Sequence, residues 1–191
     1  MPKLRRKRRG VFNRRGQIKD RIWISERPDV VETRARIGDW EVDTIVGIKG
    51  EAALITMAER SSRLCRVMKV DNRKAQTARD AIVATLMPLR AAVHTLTYDN
   101  GSEFSHHQDV DRVLDSQSFF AHPFHSWERG TNENMNGLLR QYFPKGKPMA
   151  QLTHAQINQA VERLNNHPRK CLGYKTTNHI FVSVRRAPPP S

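Results

Sequence analysis

Apolar residues in the first part of the chain come in short runs, and this pattern is typical of β-strands. Runs rich in Val, Ile, Leu and Met over residues 37–47, 52–59 and 64–70 predict three successive strands. The segments between these runs are short and polar, as expected for the turns of antiparallel hairpins. The three strands are therefore predicted to pair in an antiparallel manner.

Beyond residue 71 the spacing of the apolar residues becomes helical, which predicts a helix over residues 72–89. The apolar residues that recur at this spacing are Ala75, Ala78, Ile82, Leu86 and Leu89. A fourth strand over residues 93–98, a short helix over 106–115 and a fifth strand over 118–121 follow. This order predicts an α/β fold, with a mixed five-stranded sheet flanked by helices.

The last third of the chain is predicted to be helical. A first apolar stripe has the spacing i, i+3, i+4 and i+7, and consists of Met135, Leu138, Leu139 and Tyr142. A second helix is expected over residues 153–165, where Thr153 and Gln156 form a capping box. Pro168 follows the end of this helix.

Charge divides the chain unevenly and indicates a polyanionic partner. The formal net charge is +14, and residues 1–21 hold ten Lys or Arg residues and a single acid, Asp20. Such a segment cannot bury itself, so we predict a disordered or extended arm that binds nucleic-acid phosphates with release of counterions. The residues expected to make these contacts are Arg5, Arg6, Lys7, Arg8, Arg9, Arg14 and Arg15. The alternatives are a solvated tail without a role and a signal-like basic patch.

Three segments follow from these patterns: a basic arm and linker over residues 1–36, a folded core over 37–166 and a C-terminal extension over 167–191. Ordered structure is expected to begin near residue 37. The two cysteines, Cys65 and Cys171, lie outside any zinc-ligand spacing, which suits a reducing cytoplasm. The longest apolar run is far shorter than the roughly 20 residues of a membrane-spanning helix, so no membrane partner is expected.

Three carboxylates stand at positions that suit metal-dependent chemistry. Asp43 lies in the middle of the first strand, Asp99 directly follows the fourth strand, and Glu133 lies in the first turn of a helix. Taken singly, each has an ordinary explanation: a solvent-facing acid on an edge strand, a turn residue and a helix-dipole acid. Taken together, they could hold two Mg²⁺ ions about 4 Å apart, as an in-line phosphoryl displacement requires.

Four motifs resemble the transposases of the insertion sequence 30 family: GDWEVDTIVG, YDNGSEF, HSWERGTNENMNGLLRQYFPKG and LNNHPRKCLGY. The resemblance extends over residues 22–181, and the 33 residues between Asp99 and Glu133 match the DD(33)E pattern of that family. It implies a ribonuclease H-like integrase core in which Asp43, Asp99 and Glu133 are the catalytic triad and bind two Mg²⁺ or Mn²⁺ ions.

The resemblance also implies a function. The expected reaction is metal-dependent cleavage at the ends of an insertion sequence and transfer of the freed 3′-hydroxyl to target DNA. Expected partners are element ends and target DNA, with Arg140 and Lys145 as further contacts, and a homo-oligomer on paired ends, in a bacterial cytoplasm at the nucleoid. Family members carry an N-terminal helix-turn-helix region that this chain is expected to lack.

Two other functions remain open at this stage. One is a non-catalytic, truncated transposase remnant that binds DNA, and the other is a different ribonuclease H-like nuclease. The C-terminal part departs from the usual family pattern at His167, Thr177 and His179. Retention of all three acids favours the catalytic interpretation over the remnant.

Overall fold

A mixed five-stranded β-sheet forms the centre of the fold in the computed structural model, which describes residues 18–48, 52–123 and 125–186. The strands are β1 (Asp39–Val46), β2 (Ala53–Glu59), β3 (Cys65–Val70), β4 (Thr95–Tyr98) and β5 (Gln117–Phe120), in the order β3-β2-β1-β4-β5. The pairs β1–β2 and β2–β3 are antiparallel, whereas β4 runs parallel to both β1 and β5. The predicted fold class and the two hairpins are therefore confirmed.

Helices cover both faces of this sheet. They are α1 (Asp29–Thr33), α2 (Ala75–Leu86), α3 (His107–Leu114), α4 (Gly130–Leu139), α5 (His154–Asn166) and α6 (Thr177–Arg186). Short 3₁₀ segments lie at Ile24–Glu26, Met87–Ala92, Ser102–Phe104, Ser126–Arg129 and Lys170–Leu172. No helix within the described ranges is long and apolar enough to cross a membrane.

Two apolar cores lie on opposite faces of the sheet because side chains alternate along each strand. Trp40 and Val42 of β1 belong to the core that contains Ile82 of α2 and Leu114 of α3. The second core contains Ile45 of the same strand. Its other members include Leu54, Met135, Leu139, Ile157 and Leu164, so α4 and α5 lie over this second face.

The ordered structure begins earlier than predicted. Ile18 is buried, Val31 is fully buried, and Trp23 forms an isolated parallel bridge with Phe120 at the edge of the sheet. The expectation that order begins near residue 37 was therefore wrong, because the segment from residue 18 onwards packs on the core. The three-part division of the chain stays a prediction.

Helix α1 was not expected from the sequence, and α6 was not predicted as a separate helix, although the last third of the chain was expected to be helical. Helix α1 is only five residues long and begins directly after Pro28. Helix α6 is rich in β-branched and aromatic residues, and its Phe181 packs edge-on against Trp40. The predicted apolar stripe of α4 was also too long, because the helix ends at Leu139 and Tyr142 is exposed.

Candidate active site

Two of the three predicted carboxylates are positioned by neighbouring parallel strands: Asp43 lies on β1, and Asp99 directly follows β4. Glu41 of β1 pairs with Thr97 of β4. Continued by two residues, this register places Asp99, which directly follows β4, beside Asp43 in the middle of β1, and the charge of Asp99 acts on Asp43. Strand β1 has neighbours on both sides, so the edge-strand explanation for Asp43 does not hold.

The carboxylate of Asp43 is mostly buried, with 22% of its side chain exposed. Burial raises the pKa of Asp43, and the nearby charge of Asp99 raises it further, whereas the Arg129 guanidinium lowers it. The net effect is a pKa above the usual value. Two acids that lie close together in a partly desolvated place are typical of a cation-binding site, because a bound cation would offset the repulsion between the two carboxylates.

Three groups around Asp43 fix the orientation of its carboxylate. Oδ1 accepts a hydrogen bond from the Thr44 backbone N–H at 2.7 Å, and Oδ2 accepts one from Asn136 Nδ2 at 3.0 Å. Arg129 Nη1 lies 3.4 Å from the same Oδ2. Asn136 and Arg129 both belong to the helical segment that carries Glu133, so this segment and Asp43 are in direct contact.

The turn after β4 holds Asp99 in a narrow space. Asp99 Oδ1 accepts a hydrogen bond from the Gly101 backbone N–H at 2.9 Å. A Cβ atom at position 101 would lie 2.9 Å from that oxygen and 2.7 Å from Oε2 of Glu103. Only glycine therefore leaves both carboxylates where they are.

The third carboxylate, Glu133, is on the exposed side of α4, away from the buried Met135 and Leu139. Helix α4 is attached to the sheet by polar contacts at the residues around Glu133. The Asn132 backbone N–H donates to Glu41 Oε2 at 2.7 Å, and Thr56 Oγ1 donates to Asn136 Oδ1 at 2.9 Å. These contacts set the position of Glu133 relative to β1.

The predicted DNA contacts have different surroundings. Arg140 Nη1 donates to the backbone oxygen of Val46 at 2.9 Å, and the residue is only partly exposed. Lys145 is exposed on the surface. Arg5, Arg6, Lys7, Arg8, Arg9, Arg14 and Arg15 lie outside the described residues.

A cluster missed by the sequence analysis lies beside Asp99. Within the described ranges, three potential metal ligands lie close together: His122, His125 and Glu128. Their ligand atoms all lie within 4.8 Å of one another. Their regular spacing of three residues was visible in the sequence and could have indicated this cluster. The two histidines line a cavity of about 310 Å³ together with Asp99 and Arg129.

Glu128 has a defined ionisation state in this cluster. Burial raises its pKa, but hydrogen bonds from the His122 backbone and ring, together with the charges of His122 and His125, lower it by more. The net result is a pKa below the usual value, so Glu128 is a carboxylate at neutral pH.

Comparison with known proteins relates this chain to transposases. It is 42% identical over 170 residues to the transposase for insertion sequence element IS4351 of Bacteroides fragilis, which covers 89% of this chain and 52% of that protein. It is 33% identical over 159 residues to transposase InsI for insertion sequence element IS30C of Escherichia coli, with 83% of this chain and 41% of the relative covered. The chain thus spans about half the length of the curated relatives it matches. No protein-family model matches it.

Solved structures show the same fold. The catalytic core domain of BIV integrase superposes with a TM-score of 0.60 at 20% identity, covering 76% of this chain and 94% of that domain. A chain of the simian T-cell lymphotropic virus intasome in complex with a PP2A regulatory subunit superposes with a TM-score of 0.66 at 18% identity, covering 82% of this chain and 58% of that chain. The sheet and its helices therefore have the same fold as an integrase catalytic core domain.

Proposed function

We propose that this chain is a transposase of the insertion sequence 30 family and that it contains the catalytic core of a metal-dependent DNA strand transferase. The reaction would cleave DNA at element ends and join the freed 3′-hydroxyl to target DNA. The observation that carries the proposal is the placement of Asp43 on β1 next to Asp99, which directly follows the parallel strand β4, with the helix of Glu133 in contact with Asp43.

The donor groups at this place suit Mg²⁺ or Mn²⁺. Both ions prefer oxygen ligands, and the proposed ligands are the carboxylates of Asp43, Asp99 and Glu133. The raised pKa of Asp43 supports this assignment, because part of the shift comes from repulsion by Asp99 that a cation would relieve. The ligand atoms of these three carboxylates do not all lie within 4.8 Å of one another, as those of the histidine cluster do.

When bound, two such ions would supply Lewis-acid stabilisation of the attacking and leaving oxygens. The surrounding residues have separate tasks. Asn136 orients the Asp43 carboxylate through its 3.0 Å hydrogen bond, and the Gly101 backbone N–H orients Asp99. Arg129, 3.4 Å from Asp43, balances part of the negative charge and can turn toward a DNA phosphate.

DNA is the proposed substrate, and the charge distribution supports this. The +14 net charge favours association with a polyanion. We propose that the arm residues and Lys145 contact phosphates without selecting sequence. Arg140 directly follows α4, and its guanidinium donates to the backbone oxygen of Val46. We propose that Arg140 contacts DNA at this place. A homo-oligomer on paired ends is part of the same proposal.

The proposed function is tested with the purified full chain and pre-cut DNA ends that carry a free 3′-hydroxyl. With Mg²⁺ or Mn²⁺, we expect covalent joining of these ends to a target plasmid, with weak selectivity for the target site. With EDTA, joining should be absent. If no joined product forms with either ion while the protein still binds the DNA, the non-catalytic alternative is correct and the proposal is wrong.

A further inference from the structure

The segment between β5 and α4 places two imidazoles and a carboxylate on one side of a tight turn. The His125 backbone N–H donates to the His122 backbone oxygen, and the Glu128 backbone N–H donates to the His125 oxygen, each at 3.2 Å. Two successive bonds of this i to i+3 type give three residues per turn, so side chains three residues apart lie above one another. His122, His125 and Glu128 therefore face the same way.

The positions of two of the three side chains are set by further contacts. The His122 ring stacks on Trp23 with centroids 5.3 Å apart and an angle of 11° between the planes. Glu128 Oε2 accepts a hydrogen bond from the His122 backbone N–H at 2.9 Å, which leaves Oε1 directed at His122 Nδ1, 3.0 Å away. This separation is close to that between neighbouring ligands around one metal ion with bonds of about 2.0–2.2 Å.

We propose that His122, His125 and Glu128 form a binding site for a transition-metal ion of the Zn²⁺ class, separate from the carboxylate site at Asp43 and Asp99. Two imidazole nitrogens and one carboxylate oxygen favour such an ion over Mg²⁺, which prefers oxygen ligands. The ion takes the place of the proton shared by His122 Nδ1 and Glu128 Oε1. His125 supplies the third ligand, and its ring is perpendicular to that of His122, with the two centroids 5.7 Å apart.

The site is accessible and has a structural consequence. The side chains of His122 and Glu128 are 34% and 21% exposed, so an ion can reach them from solvent. Three protein ligands leave one position open, as in other zinc sites that retain a water molecule. Bound metal would fix the turn that leads into α4 and thus the position of Arg129 beside Asp43. The proposal does not depend on strand-transfer activity.

The experiment uses the full chain with any histidine tag removed and with metals stripped by chelation. Co²⁺ is added as a spectroscopic probe, and Zn²⁺ then competes for the site. We expect visible d–d absorption that saturates at one Co²⁺ per chain and is abolished by one equivalent of Zn²⁺. Zn²⁺ should also raise the melting temperature of the wild type.

Single-ligand variants locate the site. His122→Gln, His125→Gln and Glu128→Gln should each weaken Co²⁺ binding by about 100-fold or more. Loss of a residue that only hydrogen-bonds to a metal ligand lowers metal affinity by roughly 10–100-fold, and loss of the ligand itself should cost more. His154→Gln, which removes an exposed histidine of α5, should bind like the wild type. Melting curves without metal identify any variant that fails to fold, and Glu128→Gln is the safest because its amide oxygen can still accept from His122.

Three results would overturn the proposal. The first is a wild type that shows no saturable Co²⁺ band. The second is a band that persists in all three variants. The third is a band lost in Asp99→Asn but kept in His122→Gln and Glu128→Gln, which would assign the ion to the carboxylate site. Loss of DNA joining has no bearing on any of them, so failure of the proposed function and failure of this site are distinguishable.

Discussion

Asp43 is a proposed metal ligand whose buried carboxylate also destabilises the fold. Its carboxylate lies on a central strand, is mostly buried, and is next to a second acid. A buried acid whose pKa is raised destabilises the folded state whenever it is ionised. Selection for stability alone would favour an uncharged residue here, so the acid is most simply explained by the cation it is proposed to bind.

This cost gives a first prediction, for Asp43→Asn without divalent ions. The contribution of a raised folded-state pKa is present below the ordinary pKa of Asp, about 3.9, and is lost as pH rises through the folded value. The variant should therefore be more stable than the wild type at pH 8, by up to roughly 1 kcal/mol or about 2–4 °C in melting temperature. The gain should be smaller at pH 4.5.

Thermal unfolding in EDTA at both pH values measures this difference. Asp109→Asn, at a surface position of α3 with 41% of its side chain exposed, serves as the matched control and should change little. An Asp43→Asn protein that melts below the wild type at pH 8 would show that the contacts of Asp43 outweigh its desolvation.

At this scale the sequence located the acids but not their partners. Asp43 and Asp99 could be found because each interrupts or ends an apolar strand. Arg129 and Asn136 are 86 and 93 positions away from Asp43, and only the packing of α4 over β1 brings them within contact. Spacing alone carries no information about such distant pairs.

Among the helices, α4 depends on buried polar contacts as much as on its apolar side. Glu41 is fully buried and accepts from Arg60 Nη1 at 2.5 Å and from the Asn132 backbone N–H at 2.7 Å. Arg60 is itself nearly buried and also pairs with Glu32 at 3.1 Å. The network joins α1, β1, the turn after β2 and α4 beside the candidate site.

The second prediction concerns Glu41→Gln, which nearly preserves shape but removes the charge opposite Arg60. Removing one partner of a buried ion pair costs about 3–5 kcal/mol, and the remaining Glu32 contact places this case near 3 kcal/mol. Urea unfolding should show this loss. Glu162→Gln, at an exposed position of α5, should stay within about 0.5 kcal/mol of the wild type. Equal midpoints for the two variants would contradict the account of this network.

Helix α5 is attached to the sheet by one buried amide. Asn165 Oδ1 accepts from the Cys65 backbone N–H and Nδ2 donates to the Cys65 oxygen, both at 2.9 Å. Thr177 Oγ1 donates to the Asn165 backbone oxygen at 2.9 Å, so the same residue holds the start of α6. A single residue thus links β3, α5 and α6.

A third prediction follows for Asn165→Asp, which loses the donor to Cys65 and buries a carboxyl group. An unsatisfied buried acceptor costs about 1–3 kcal/mol and a charged group more, so a loss of about 2–4 kcal/mol is expected. Calorimetry against Asn158→Asp, the same substitution at an exposed position of α5, isolates the effect of burial. Similar melting temperatures would show that Asn165 does not hold the helix.

Sequence patterns predicted the strands better than the ends of the chain. Strands β1 to β5 were located within about two residues, because their apolar runs are bounded by polar turns. The capping box of α5 was also confirmed, with the Gln156 backbone N–H donating to Thr153 Oγ1 at 3.2 Å. Helices α1 and α6 were missed because α1 is too short to show a period and α6 has a composition typical of strands.

At the scale of the whole molecule, the main property is the positive charge, much of which lies in the N-terminal arm. The structure determines where a deletion that tests this arm should end. A deletion of residues 1–21 would remove Ile18, which is buried in the core. It would also remove Arg21, whose Nη1 donates to Asn100 Oδ1 at 2.6 Å beside Asp99. A deletion that ends at residue 17 separates the role of the basic residues from that of the fold.

The fourth prediction is that removal of residues 1–17 weakens DNA binding uniformly across sequences. Each lost phosphate contact should reduce the slope of log K against log salt by about 0.9, to a total of about 6 if all seven predicted arm residues contact phosphates. Binding isotherms at several salt concentrations measure the slope, and unfolding curves of the two proteins check that the fold is kept. An unchanged slope would exclude the arm as a phosphate contact.

The most direct test of the central claim is the rate at which carboxylate variants join pre-cut ends to target DNA with Mg²⁺. Asp43→Asn, Asp99→Asn and Glu133→Gln should each lower this rate by at least about 1,000-fold, since each removes a negative ligand where transition-state charge must be balanced. DNA binding and folding should be retained, and the Glu162→Gln control should join at the wild-type rate. A Glu133→Gln protein as active as the wild type would contradict the triad and direct attention to Glu103 or Glu128.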